Sequence, residues 1–553
     1  MIPMFLANAA IALNMQWSRL TVRAPFLKAL RDVEASQGAL LRQIMRENAD
    51  TDFGRSHGFA SITTFDAYRA RVPVSTYDTL ETHVLAQQSG TPALTAEPPV
   101  YYARTSGTTG RYKDIPLTRH GVAQIGHVQK QLALSLWQQT GFFEGVVMGF
   151  SSPGYEGYLP NGIPYGSTSG ATYQSLSPIL ESKFGIPREA FSLDDVEAKY
   201  EVYALTALAR DQVSGVVTVN PSSLLKVCTM IEDQREGLLR AIVNGDDSAL
   251  RAGSKALLPT LRKALSPARA AVLTALLEDS TAPATPALLW PRLTTLVTWT
   301  GGSCGIALDR LKALLPETVK VVEMGYASSE FIGTANIDVD RSRCLPLLTD
   351  NVYEFVAKED WERGSGAFLG LHEIQPEAEY YVFITNRSGL YRYDINDVVR
   401  ATEGLHGCPG LAFVRKGKGV TNITGEKLSE DQVIAAVSAT LEASGTPAES
   451  FMALADEQAA HYRLYLELPS TVDLSGKDTE IDQQLRNRNG EYDDKRASGR
   501  LQPVTVARLR GGAGAALKAK RVADGVRETQ YKPPVLAYWS EWEAWLNEWV
   551  ESA

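Results

Sequence analysis

The sequence predicts an α/β protein of at least two domains, and three observations carry that prediction. Its 553 residues exceed what one hydrophobic core usually holds. Between about residues 95 and 345, short apolar runs alternate with stretches of helical periodicity, the pattern of a sheet covered by helices. Beyond residue 429 a helix-start signal opens a further run of helix and strand, long enough for a small α/β domain of its own. Hydrophobic content of 44% with 22% charged residues is that of an ordinary globular chain.

At the start, Phe5 to Leu13 is apolar and contains Ala7-Asn8-Ala9, which imitates a secretion signal. No Lys or Arg precedes it, so the positive flank of such a signal is missing and a helix packed on the body is expected. Residues 15–85 read as helical, with Leu27, Leu30, Val33, Leu40, Leu41, Ile44 and Met45 at helical spacing. Residues 98–104 read as a short strand and Thr118 onward as a helix, so the segment between them is expected at a strand-to-helix junction. Gly145–Phe150, Val213–Val219, Leu293–Trp299 and Val319–Met324 have the composition of buried strands. Residues 250–275 read as one amphipathic helix flanked by Lys and Arg. From 345 to 415 the chain turns β-rich, suggesting a small barrel-like subdomain. The glycine-rich, basic stretch 416–428 reads as a hinge. Ser429 to Gln432 has the form of a capping box, followed by a strand at Tyr462–Leu468 and a helix containing Ile481 and Leu485. The expected organisation is therefore 1–415, with its β-rich part at about 345–415, the hinge 416–428, and 429–553.

The most informative stretch is residues 105–118, Thr-Ser-Gly-Thr-Thr-Gly-Arg-Tyr-Lys-Asp-Ile-Pro-Leu-Thr. Gly107 and Gly110 let the backbone approach a ligand, and Ser106, Thr108, Thr109, Arg111 and Lys113 offer donors for phosphate oxygens. The spacing is not that of the Walker loop, and composition alone also fits a surface turn.

Two further segments add to it, Tyr326-Ala-Ser-Ser-Glu330 and Tyr391-Arg-Tyr-Asp-Ile-Asn-Asp397. Together the three, in this order, resemble the motifs of the auxin-responsive acyl acid amido synthetases within the adenylate-forming superfamily. Weaker echoes include Asn48–Arg55, Val72–Tyr77, Asn161–Gly166, Trp290-Pro291, Gly425-Glu-Lys427 and Gln530–Pro534, so the resemblance covers nearly the whole chain. One departure is Asn396 in place of the motif glycine, and another is Asp394 where the family often has a basic residue. Asn accepts left-handed dihedrals better than most residues.

The resemblance implies a large N-terminal α/β domain with a barrel-like subdomain and a small mobile C-terminal domain. It further implies ATP and Mg²⁺. Ser106, Gly107, Thr108, Thr109 and Lys113 would meet the β/γ-phosphates, and Gly301, Gly302 and Ser303 the adenine. Tyr326 would pack along the adenine, with Ala327 and Ser328 near the α-phosphate. Asp397 would bind the ribose and Glu330 the metal. Lys427 and Lys532 would be the catalytic cations of a domain-alternation cycle. Arg392 reads equally as a ligand and as a structural ion pair. Ile125, Val128, Leu132 and Leu136 either line an acid pocket or face the core.

The implied reaction turns a carboxylic acid into an acyl-AMP and passes the acyl group to an amine such as an amino acid. Its rivals are a ligase for coenzyme A or a carrier thiol, and a non-catalytic nucleotide-binding switch. Net charge −9 argues against a nucleic-acid partner. With no apolar stretch of ~18 residues, no membrane span and no membrane partner are expected. Four scattered cysteines suit a reducing cytoplasm, with no zinc or disulfide framework. Nothing in the sequence predicts an oligomer.

Overall fold

A computed structural model describes residues 4–106, 112–151, 153–174, 176, 178–279, 284–301, 304–417, 419–442, 450–523 and 534–551. They belong to two compact units. One is formed by Met1–Thr105 and Lys113–Val414, the other contains Arg415–Ala553.

The first unit opens with helices whose starts are set by side-chain caps. Asp32, Thr51 and Thr64 each accept a backbone N–H of the helix they precede. Helix Val33–Glu47 buries Leu40, Leu41, Ile44 and Met45. Gln37 on the same helix bonds the backbone of Leu348, Asn351 and Tyr353, tying it to the β-rich region. The first helix, Met4–Ser18, buries Ile11 and Met15 in a cluster with Leu134, Leu136, Phe142 and Val297.

The four apolar runs form a single parallel sheet. Val146–Gly149, Val213–Val217, Thr295–Thr298 and Lys320–Glu323 lie side by side in chain order. Every residue of the first and third of these is buried, as expected for strands covered on both faces. The region 250–275 departs from the single helix expected there. It forms Ala252–Arg262 and Pro267–Glu278, because Ser266 caps a new helix at Arg269 N and Pro267 occupies its first turn.

The segment 105–118 is also placed differently. Tyr101–Ser106 and Tyr112–Leu117 are neighbouring strands of a four-stranded sheet, so the loop joins strand to strand. The helix Arg119–Gln139 begins only after the second strand. Ile115 and Leu117 are buried in the core, and Asp114 accepts both Arg104 Nε and a terminal nitrogen at 2.7 and 2.9 Å. The strand is short and carries Pro116, a residue that argues against a strand, and this hid it in the sequence.

The β-rich region is an antiparallel sheet of five strands, ordered Leu369–Gly370, Asn351–Ala357, Glu379–Asn386, Tyr393–Leu405, Cys408–Lys416. Its last hairpin turns at His406-Gly407, both with positive φ (55° and 83°), the geometry that fits strand twist.

In the second unit, Thr505–Leu509, His461–Glu467, Ser450–Asp456 and Leu536–Tyr538 form a sheet with an antiparallel central pair. The capping box is present. Ser429 N donates to Gln432 Oε1 at 3.1 Å and Gln432 N to Ser429 Oγ at 3.4 Å, and helix Glu430–Glu442 follows. Ile481 and Leu485 are buried on helix Lys477–Arg488.

All four cysteines are buried and free. Burial pushes the thiols of Cys228, Cys304 and Cys408 up to about 12, and that of Cys344 higher still. No helix among the described residues is long and apolar enough to cross a membrane.

Candidate active site

Two strands of the parallel sheet end in loops that one carboxylate ties together. Glu323 accepts Thr300 N at 2.8 Å and Thr300 Oγ1 at 2.5 Å through one oxygen, and Gly325 N at 2.9 Å through the other. Trp299 Nε1 donates to Gly325 O at 2.9 Å, closing the same junction. Beside it, Gly301 has no room for a side chain, since a Cβ there would lie 2.8 Å from the carbonyl oxygen of Phe413. Gly302 and Ser303 lie outside the described residues.

The segment from Tyr326 folds back on itself. Tyr326 O accepts from Gly333 N and Thr334 N, Ser328 N donates to Phe331 O, and Ser328 Oγ accepts from Glu330 N. Gly325, at φ 109°, allows the reversal that starts it. Ala327 bridges to Ile332, and Glu330, with a half-buried side chain, sits at the tip. Asn386 Nδ2 holds the tip by donating to Glu330 O at 3.2 Å.

At the base, the Tyr326 ring stacks on Phe413 (6.0 Å between centroids, 22°) and meets Phe331 edge-on (5.2 Å, 83°). The Tyr326 hydroxyl donates to Asp397 Oδ2 at 2.8 Å. Burial first, and then the Asp397 charge, push this phenol well above its ordinary range, so it remains a neutral donor. Asp397 is itself 1% exposed. In this structure it acts as the acceptor for Tyr326.

Asp397 is placed by an irregular strand. Tyr381 pairs with Val398 and Phe383 with Asp394, so residues in between bulge out of register. Asn396 sits in the bulge at φ 55°, and its N–H donates to Asp394 Oδ1 at 2.7 Å. The substituted position does adopt the left-handed conformation that a glycine would.

Arg392 is a structural residue. Its Nε donates to Glu354 Oε2 at 3.0 Å, a terminal nitrogen donates to Val72 O at 2.9 Å, and the guanidinium lies 4.2 Å from the centre of the Phe368 ring. Tyr391 is buried, stacked on Phe53 and bonded to Leu94 O.

Of the phosphate-loop candidates, Gly107, Thr108, Thr109 and Arg111 lie outside the described residues, and Ser106 is described only as the end of its strand. Lys113 is placed. Its ammonium stands 5.7 Å from the centre of the Tyr77 ring, whose hydroxyl accepts Asp114 N at 3.0 Å. Tyr77 also belongs to the surroundings of Tyr393. Burial and then the charges of Glu330 and Asp394 push the Tyr393 phenol up, with Tyr77 and Asp78 contributing. Lys113 thus stands beside Tyr77, and the charges of Glu330 and Asp394 act on Tyr393.

Lys427 belongs to the second unit, at φ 45°. Its loop is organised by the buried Glu426, which accepts Ile423 N, Thr424 N and the Tyr462 hydroxyl. Lys532 lies outside the described residues. On helix Arg119–Gln139, Ile125, Val128 and Leu136 are buried among core residues and Leu132 packs against them, so this stripe faces the core. Sequence reasoning missed Phe413 and Glu323. Phe413 carries no signal beyond its place in a strand, whereas Glu323, an acid closing an apolar run, could have been noticed.

No group of three His, Cys, Asp or Glu among the described residues is arranged to hold a metal ion. A Mg²⁺ held mostly by phosphates and waters uses only one or two protein carboxylates, and the candidate for that part, Glu330, is half-buried at the tip of its turn.

A large α/β unit bearing an antiparallel sheet and a small α/β unit make up a fold that this chain shares with a solved acyl acid amido synthetase. The chain belongs to the GH3 family. It matches the GH3 family N-terminal domain over residues 23–320, the central domain over 344–416 and the C-terminal domain over 431–541. The indole-3-acetic acid-amido synthetase GH3.4 of Arabidopsis thaliana is 23% identical over 548 residues, covering 91% of this chain and 89% of the relative. The 4-substituted benzoates-glutamate ligase GH3.12 of the same plant is 22% identical, covering 93% and 95%. The solved structure of the GH3.15 acyl acid amido synthetase superposes with a TM-score of 0.63 at 22% identity, covering 95% of this chain and 96% of that one.

Proposed function

We propose that this protein is an ATP- and Mg²⁺-dependent acyl acid amido synthetase. It activates a carboxylic acid as the acyl-AMP, releasing pyrophosphate, and then lets an amine, of the amino-acid class, take the acyl group as an amide with release of AMP. The observation that carries this reading is the gathering of separated motif segments in one unit, with Gly301, Tyr326, Phe413 and Asp397 around one junction. The names of the full-length relatives support the same reaction.

Joining a carboxylate to the α-phosphate brings two anions together, so catalysis rests on positioning and on neutralising charge. Glu330 would hold the metal and Lys113 the outer phosphates, with Ser106, Gly107, Thr108 and Thr109. Gly301, Gly302, Ser303, Tyr326, Ala327 and Ser328 would seat the nucleotide, with Asp397 at its ribose. Lys427 and Lys532 would serve the alternation between half-reactions, with 416–428 as the hinge. We place the reaction in the cytoplasm, where four free thiols suit the reducing conditions.

Acid-dependent ATP–pyrophosphate exchange over a panel of carboxylic acids tests the proposal. Glu330→Gln should lower exchange at least ~10-fold while the fold is retained. Lys532→Ala should reduce exchange severely, yet spare amide formation from supplied acyl-AMP. Thioester as the main product with coenzyme A would make the protein a thioester ligase. ATP binding without exchange for any acid would leave a nucleotide-binding switch.

A further inference from the structure

The first helix carries two apolar faces. Ile11, Met15 and Ser18 turn inward and are buried. Leu13 and Trp17 stand two positions further on from Ile11 and Met15, roughly 200° around the helix, and Leu20 lies in the π-helical turn Arg19–Arg23 that continues it. They are 74%, 67% and 68% exposed, and with Gln16 and Arg19 they line one shallow hollow. An isolated exposed leucine is ordinary, but three large apolar side chains in one stripe on a helix already anchored by its other face mark a contact surface.

Charge indicates what covers it. Residues 1–31 contain Arg19, Arg23, Lys28 and Arg31 and no Asp or Glu, in a chain whose net charge is −9. Arg23 turns inward, bonding Gln131 and Ser135, while Arg19, Lys28 and Arg31 are exposed. A second copy docked symmetrically on this stripe would bring the same cations face to face. An anionic lipid surface offers opposite charge, an apolar layer for leucine, and an interface that suits tryptophan.

We infer that the Leu13–Trp17–Leu20 stripe, with Arg19, Lys28 and Arg31 nearby in the chain, attaches this protein peripherally to anionic lipid surfaces. The expectation of no membrane partner rested on the lack of a spanning segment, and lying on a surface requires none.

The test is co-sedimentation of the full chain with vesicles of phosphatidylcholine alone or containing phosphatidylserine. Binding is expected to the phosphatidylserine vesicles at ~20 mM salt and to be lost near ~500 mM, as the Debye length shrinks. Trp17→Ala with Leu20→Ser should weaken partitioning at least about tenfold. Circular dichroism and the melting curve should be unchanged, because both side chains are exposed. Arg19→Glu should weaken binding too. Failure to bind phosphatidylserine vesicles, equal binding to phosphatidylcholine alone, or binding undiminished in the Trp17/Leu20 variant would overturn the inference. So would a wild-type dimer dispersed by that variant, which would assign the stripe to a second copy.

Discussion

Asn396 shows how a single backbone angle decides what a substitution does. At φ 55° a β-branched residue is strained, whereas Asn pays little and Gly nothing. Asn396→Gly should therefore leave stability within ~1 kcal/mol of wild type, and Asn396→Val should lower it by ~1–2 kcal/mol, measured by urea unfolding. Motif comparison located this site, and the sequence showed the residue type but not the bulge that demands the angle. Arg392 was undecided in the sequence for a different reason. Its partner Glu354 lies in another strand and its carbonyl acceptor Val72 far upstream, distances that no local pattern spans. Glu354 also accepts Arg69 Nε at 2.9 Å. Glu354→Ala would leave Arg392 buried without its carboxylate and should cost ~3–5 kcal/mol. A loss below ~1 kcal/mol in a denaturant titration would contradict a structural role for the pair.

Elements with strong internal signals were legible, and those defined by distant partners were not. The four apolar runs and the capping box at Ser429 were readable because burial on two faces and reciprocal capping leave marks within a few residues. The strand Tyr112–Leu117 was not, since its pairing with Tyr101–Ser106 outweighs a proline that argues against a strand. The stretch 416–428 reads in the sequence as a glycine-rich hinge, but the buried carboxylate of Glu426 that gathers the loop backbone at Ile423 and Thr424 is a tertiary feature. Behind this loop, a Cβ on Gly425 would meet Lys495 Cε at 3.2 Å. Burial, and then Arg500, push the Lys495 ammonium down to about 8 from 10.5, although Glu491, Asp494 and Glu426 oppose the shift. Between about pH 8 and 10.5 the unfolded chain then binds more protons at this residue, so its contribution makes stability rise with pH across that window and stay flat below it. Lys495→Met should remove that rise. The unfolding midpoints of wild type and variant, followed from pH 7.5 to 10, should therefore converge towards the alkaline end; parallel curves would contradict the shift.

At the scale of the molecule, each unit has a core of its own. Residues 415–553 bury Ile423, Leu428, Val433, Leu464, Ile481 and Leu485 together. Expressed alone, this unit should unfold cooperatively in urea, and a gradual loss of structure would show that it depends on the rest of the chain. The length of the chain implies more than one domain but not where the sheet of the first ends, because Cys408–Lys416 runs into the stretch that reads as a hinge. The buried thiols bear on how the two units can be observed. At neutral pH a thiol with a pKa of about 12 is thiolate to only ~1 part in 10⁵, and burial keeps reagents out as well. A maleimide dye should pass over the native protein. Cysteines introduced at the exposed Glu34 and Thr471, one in each unit, would then be the only labelled sites, and energy transfer between dyes there would follow the units through a catalytic cycle against a silent background.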